Sequence, residues 1–262
     1  MWAKDEMLAD GGRARRLAEA FVTPLRRPKR WSLELLPYVR PFWVAGPIGK
    51  VAAIQLGNGP KVLLVHGWEG EVGDFSAFLP RLLEAGYGVI ALDLPAHGTS
   101  EGTTASIVAC AQSVLEVQRV SEGLHAVIGH SVGSLIAAQA AGMGLDAKRM
   151  VLLCSPARYE DCARRFATRE GLDLEETEEM LLALETMGTE VCSISLPEIA
   201  PRLRQKALFL HSKDDAVIPM SDGLESALAW PGAKFVEVDG LGHRRILRSP
   251  EICETALKFV SE

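Results

Sequence analysis

Six short, largely apolar runs recur along the chain with helical patterns between them, and this alternation constrains the fold more than any other feature. The runs are Val62–Val65, Val89–Leu92, Ala126–Ile128, Met150–Leu153, Ala207–Leu210 and Phe235–Val238. Strands apolar on both faces need cover on both faces, which is the condition of a parallel sheet flanked by helices. Helical periodicity occupies the gaps around 75–85, 105–121, 132–144, 222–229 and 250–260. Ahead of the alternation, Phe42–Val44 and Val51–Leu56 read as two strands joined through Gly46-Pro47-Ile48-Gly49, a hairpin connection. The pattern predicts an α/β fold with a mostly parallel central sheet.

One gap is too long for a simple crossover. Residues 156–205 hold two apparent helices, Ala157–Arg169 and Leu174–Met187, flanked by Gly171 and Gly188. An insertion there lies above the C-terminal strand ends, so it is expected to act as a helical lid. Its stripe of Leu172, Leu174, Met180, Leu181, Leu182, Leu184 and Met187 either lines a pocket or packs the lid onto the core. The glutamates at 175, 176, 178, 179 and 185 read as an exposed helix face. The expected division is an N-terminal helix and basic connector (1–40), a core (41–155 and 206–262) and the lid (156–205). Leu8, Leu17, Ala18 and Phe21 carry the N-terminal helical pattern, which is expected to pack on the core, and Thr23–Arg30 is basic and broken by prolines.

At 262 residues the chain suits one large α/β domain with a small insertion. A net charge of −6 gives no electrostatic case for nucleic acid. No apolar stretch approaches the roughly 20 residues that span a bilayer, and Met1–Glu6 lacks the apolar core of a signal peptide. Five cysteines, odd in number and without CxxC spacing, read as reduced thiols in a cytoplasmic protein.

The chemistry centres on Gly129-His130-Ser131-Val132-Gly133. A serine on a sharp strand-to-helix turn has its hydroxyl pushed above the sheet edge, and glycines two residues to either side let the backbone pass closely. A serine hydroxyl needs a base within hydrogen-bond reach. Of six histidines, His66 and His97 read as turn-stabilising, His125 opens a strand, His130 lies within the elbow and His211 ends a strand. His243, in the glycine-rich loop 239–245 after the last strand, is the expected base. The acid that orients it should follow Ala207–Leu210, where Asp214 and Asp215 compete; Asp215 is preferred because it lies four residues before Pro219. Asp93, after the strand Val89–Leu92, is another possible acid, though its position more often supports loop architecture. Oxyanion donors are expected from the N–H groups of Val132, next after the serine, and Trp68, in the loop after the strand Val62–Val65.

These spaced motifs resemble the α/β-hydrolase superfamily. His66-Gly67-Trp68 resembles its oxyanion loop, Gly129–Gly133 its nucleophile elbow, and Asp93–Ser100 its D-x-x-G-x-G-x-S loop with Ala96 in place of a glycine. More narrowly, His66-Gly67-Trp68-Glu69-Gly70, Trp230–Ala233 and Gly240–Leu247 look like a bacterial branch known only as hydrolase-like. The resemblance implies a serine hydrolase that cleaves a small carboxylic ester or thioester through an acyl-enzyme on Ser131, with no metal or organic cofactor. Its partner would be a small-molecule acyl substrate. A carbon–carbon bond hydrolase or lyase with the same triad, and a non-catalytic small-ligand receptor on the same fold, are the competing expectations. A further expectation is a brace in which Glu69 or Glu71 pairs with Arg244 or Arg245 across the mouth of the site.

Overall fold

The computed structural model describes residues 12–26, 38–121 and 123–262. Leu8, the segment Met1–Glu6 and the arginine-rich end of the basic connector (27–30) lie outside them. Eight strands form a single sheet in the order β1-β2-β4-β3-β5-β6-β7-β8. They are β1 (Arg40–Gly46), β2 (Gly49–Leu56), β3 (Lys61–Val65), β4 (Gly88–Leu92), β5 (Ala126–His130), β6 (Arg149–Leu153), β7 (Lys206–Ser212) and β8 (Lys234–Val238). The first two form the expected antiparallel hairpin, β2 pairs antiparallel with β4, and every pairing from β4 to β8 is parallel.

The side-chain period of two divides each strand's apolar residues between two cores. Leu63, Val65, Ile90, Leu92, Val127, Leu152 and Phe209 face one cluster. Their neighbours Val62, Leu64, Val89, Ala91, Ile128, Val151 and Leu210 face the other. That is why these strands read as continuous hydrophobic runs. The helices are α1 (Arg13–Phe21), α2 (Phe78–Glu84), α3 (Ile107–Val120), α4 (Val132–Gly142), α5 (Tyr159–Arg169), α6 (Leu174–Thr186), α7 (Leu196–Ile199), α8 (Met220–Ala229), α9 (Gly242–Arg245) and α10 (Pro250–Ser261). Residues of α3, α4 and α8 fill the first cluster, and residues of α2 and α10 fill the second.

The segment between β6 and β7 carries α5, α6 and the single turn α7. Its neck is tied by a bridge between Arg158 and Ser195, with the Tyr159 N–H donating to the Ile194 carbonyl at 3.0 Å and Leu196 N–H to Ala157 at 2.8 Å. Two details differ from the sequence reading. Helix α1 packs against α5 and α6 rather than on the sheet-covering helices; Phe21 meets the rings of Tyr159 at 5.2 Å and Phe166 at 5.3 Å, and Arg13 pairs with Glu176 at 3.2 Å. The apolar stripe divides as well. Leu172, Met180, Leu181 and Leu184 are buried in the core, while Leu174, Leu182 and Met187 face outward. The acidic face of α6 is partly engaged, since Glu176 pairs with Arg13 and Glu178 with Arg164 at 2.6 Å.

Candidate active site

Ser131 stands between the end of β5 and the start of α4 with φ 55° and ψ −130°, a left-handed conformation that costs a non-glycine residue about 1–3 kcal/mol. The surrounding structure enforces it. The Ser131 N–H donates to the Leu153 carbonyl at 2.8 Å, and a Cβ at Gly133 would lie 2.3 Å from the Val65 carbonyl oxygen. A Cβ at Gly129 would lie 2.7 Å from Ser134 Cα. Both glycines are therefore required by close backbone passage, which holds the serine at the C-terminal edge of the sheet.

His243 Nε2 is 2.9 Å from Ser131 Oγ, and its Nδ1 is 2.7 Å from Asp215 Oδ2. The carboxylate can only accept, so Nδ1 carries the proton and Nε2 turns its lone pair to the serine hydroxyl. Asp215 Oδ1 accepts from the N–H groups of Val217 at 2.8 Å and Ile218 at 2.9 Å. Burial alone would raise this carboxyl, but the His211 ring 3.6 Å away and the hydrogen bond from His243 outweigh it and hold Asp215 well below the usual carboxylate range.

Asp214 does something different. Its Oδ1 accepts from the Gly242 N–H at 2.8 Å and from Ser212 Oγ at 2.5 Å, and Oδ2 lies 3.5 Å from Arg245 Nη2. Ser212 Oγ in turn accepts from Gly242 N–H at 3.0 Å, and Arg245 donates to the Gly240 carbonyl at 2.9 Å. Asp214 thus clamps the residue just before His243. Arg245 takes Asp214 as its partner, a pairing that joins the loops after β7 and β8.

His130 pins the same turn from the other side. Burial, followed by the neighbouring His243, lowers its pKa to about 3. The neutral ring therefore donates from Nε2 to the His243 carbonyl at 2.8 Å. The sequence places His130 in the elbow but gives no sign of this bond, which spans 113 positions. Nor does it show that the glycine-rich stretch containing His243 winds into the helical turn α9.

The loop after β3 passes over the serine, with a Cβ at Gly67 falling 3.0 Å from Ser131 Cβ. His66 anchors that loop: Nδ1 contacts the Gly67 carbonyl at 2.7 Å, and Nε2 accepts from the Leu94 N–H at 2.9 Å. Trp68 follows, its indole stacked on Phe21 at 6.4 Å and set edge-on to His97 at 5.0 Å. Val132 opens α4, so its N–H belongs to the unpaired first turn. Asp93 is architectural, accepting from Val72 N–H at 3.1 Å and Thr99 N–H at 2.8 Å. Ala96 takes φ 64° where the family pattern has glycine.

Two cavities meet at Ser131 and share Trp68, His243 and Arg244 in their walls. The larger, about 880 Å³, runs between α1, α5 and the loop after β7, lined by Phe21, Val132, Tyr159, Phe166, Val217 and Ile218 among others. None of the apolar stripe of α6 reaches it. The smaller, about 260 Å³, lies toward α9.

Cys154 Sγ, an Asp215 carboxylate oxygen and a His243 ring nitrogen lie within 4.8 Å of one another, a donor set that could in principle gather a metal ion. Burial and then the Asp215 charge raise the Cys154 thiol, which keeps it protonated and a poor ligand. Asp215 and His243 are already hydrogen-bonded to each other, so the cluster suits proton transfer better than metal binding.

This site at the carboxyl edge of a parallel sheet defines the α/β hydrolases as a class. The chain matches the model of the alpha/beta hydrolase family over residues 62–255 and belongs to that family. It is a hydrolase. It is 32% identical over 229 residues to a pimeloyl-[acyl-carrier protein] methyl ester esterase of Methylococcus capsulatus, covering 71% of this chain and 89% of that one. It is also 31% identical over 175 residues to a dihydrolipoyllysine-residue acetyltransferase component of an acetoin cleaving system from Cupriavidus necator. That match takes in 64% of this chain but only 45% of the longer relative. Among solved structures, an esterase from Exiguobacterium antarcticum has the same fold, with a TM-score of 0.67 at 17% identity over 84% of this chain and 99% of that one.

Proposed function

We propose that the protein is a serine hydrolase that cleaves a small carboxylic ester or thioester through an acyl-enzyme on Ser131. The observation that carries this reading is the unbroken hydrogen-bonded line from Ser131 Oγ through His243 to Asp215. The similarity to a methyl ester esterase supports ester cleavage.

Ser131 Oγ attacks the substrate carbonyl carbon while His243 Nε2 takes the hydroxyl proton. Asp215 holds the imidazole in the required tautomer and stabilises the imidazolium. The carbonyl oxygen becomes an oxyanion facing the N–H groups of Trp68 and Val132, donors oriented before the charge develops. Collapse of the intermediate expels the alcohol or thiol with the proton from His243. Water, deprotonated by the same nitrogen, then releases the acid and restores the serine. The 156–205 segment roofs the larger cavity as a lid, with α1 and Phe21 completing its wall. The five free thiols suit a reducing, cytoplasmic compartment, and among the described residues no helix is long and apolar enough to cross a membrane.

The test is labelling with a fluorophosphonate together with a p-nitrophenyl ester series of increasing acyl length. Wild-type protein should label and turn over esters, and Ser131→Ala should do neither while keeping its fold by circular dichroism. A folded wild-type protein that neither labels nor turns over any ester overturns the reading.

A further inference from the structure

We infer that the smaller cavity beside Ser131 is a subsite for an anionic group, a carboxylate or phosphate, carried on one arm of the substrate. The inference rests on the hydrolase reading above and specifies its substrate class. An ester whose carbonyl sits at Ser131 extends two arms, and two cavities meet there. They differ in chemistry. The larger offers aromatic and aliphatic walls, and the cations near it are engaged within the chain: Arg164 pairs with Glu160 and Glu178, Arg165 with Asp222, and Arg169 lies against Glu170 and over the Phe166 ring.

Besides Arg244, which both cavities share and which has its own interaction within the chain, the smaller cavity is lined by Arg245 and Arg248 against a single carboxylate, Asp74. Asp74 is itself occupied, accepting from the Glu71 N–H at 3.2 Å. Arg248 has no ion pair among the described residues, while Arg245, its side chain 70% exposed, donates to the Gly240 carbonyl at 2.9 Å and pairs with Asp214 at 3.5 Å. An exposed pairing of that kind is weak and exchangeable. The chain as a whole carries a net charge of −6, so cations gathered at the serine do not follow from a basic composition. Guanidinium groups on a cavity wall recognise carboxylate and phosphate through paired N–H donors, with the attraction strengthened where water is partly displaced. An amphipathic substrate, apolar on one side of the scissile bond and anionic on the other, matches both cavities at once.

The experiment compares esters matched in length, each with a terminal carboxylate or its neutral primary amide, the charge being placed once on the acyl side and once on the alcohol side. A second pair carries a terminal phosphate in place of the carboxylate. On one of the two sides the anionic member should be preferred about tenfold in kcat/KM, mainly through KM, and the preference should shrink as salt screens it. In Arg248→Gln, and further in the Arg245→Gln/Arg248→Gln double variant, the anionic-to-neutral ratio should fall toward one, with melting temperatures confirming intact folds. Equal turnover of neutral and anionic esters by the wild type, or a preference that survives the double variant, overturns the subsite while leaving the hydrolase reading standing. Failure to turn over any ester removes both.

Discussion

Two neighbouring aspartates show how far one position can separate two roles. Asp215 reaches the imidazole, whereas Asp214 reaches the backbone one residue before it. Asp215→Asn should lower kcat by three to four orders of magnitude, because the amide no longer fixes the tautomer. Asp214→Ala should lower it about tenfold to a hundredfold with little change in KM, through misplacement of His243. Steady-state kinetics on the same ester distinguish the two, and equal losses would show that both act on the imidazole. Gly133→Ala should cost about 3 kcal/mol in urea denaturation, since the added methyl meets the carbonyl oxygens of Val65 and His66 at 2.3 and 2.4 Å and backbone cannot yield there. At this scale the sequence reads well where a residue type is demanded by chemistry or local geometry. Ser131, His243 and the elbow glycines stand out because they are bound to a strand end and a loop. His130 and Asp214 do not, because their partners lie on segments remote in sequence.

At the scale of elements, hydrophobic period places every strand but stops up to two residues short of its ends, as at β1 and β7, since buried strand centres leave a strong one-dimensional trace and their ends do not. The boundaries of α5 and α6 are equally clear. Which neighbour each helix chooses is not, because an amphipathic stripe specifies a buried face without naming what buries it. Helix α1 illustrates the point: Phe21 is buried among Trp68, Tyr159 and Phe166. Phe21→Ala should destabilise the fold by about 3–5 kcal/mol, the range for truncating a buried aromatic. It should also raise KM for long-chain esters more than for acetyl esters, as it enlarges one wall of the larger cavity. Denaturant unfolding and a chain-length series measure the two effects, and an unchanged chain-length profile would remove α1 from the wall.

The whole molecule should be sensitive to acid. His97 and His130 are each lowered to about 3, chiefly by burial. In the folded state they remain neutral at pH values where the unfolded chain, with histidines near 6.5, has taken up protons. The unfolded state binds more protons in that window, so stability rises with pH there and is lost on acidification. Asp215 acts in the same direction lower down: its stabilisation is present above the unfolded value of 3.8 and disappears as pH falls below it. Unfolding free energy should drop by up to about 1.4 kcal/mol per pH unit for each histidine between roughly pH 6.5 and 4. Urea titrations across that range should show the slope, and His97→Asn should flatten it.

The packing of α1 onto α5 and α6 has a consequence for how substrate range is inherited. The region matching the family runs from residue 62 to 255 and contains Ser131, His243, both aspartates and the loop after β3. Phe21, which closes one side of the larger cavity, lies some forty positions ahead of it. Two chains with the same residues around Ser131 could therefore accept different substrates by differing only in the helix that corresponds to α1. Lineages could exchange selectivity by recombination near the start of the sheet, without touching Ser131, His243 or Asp215.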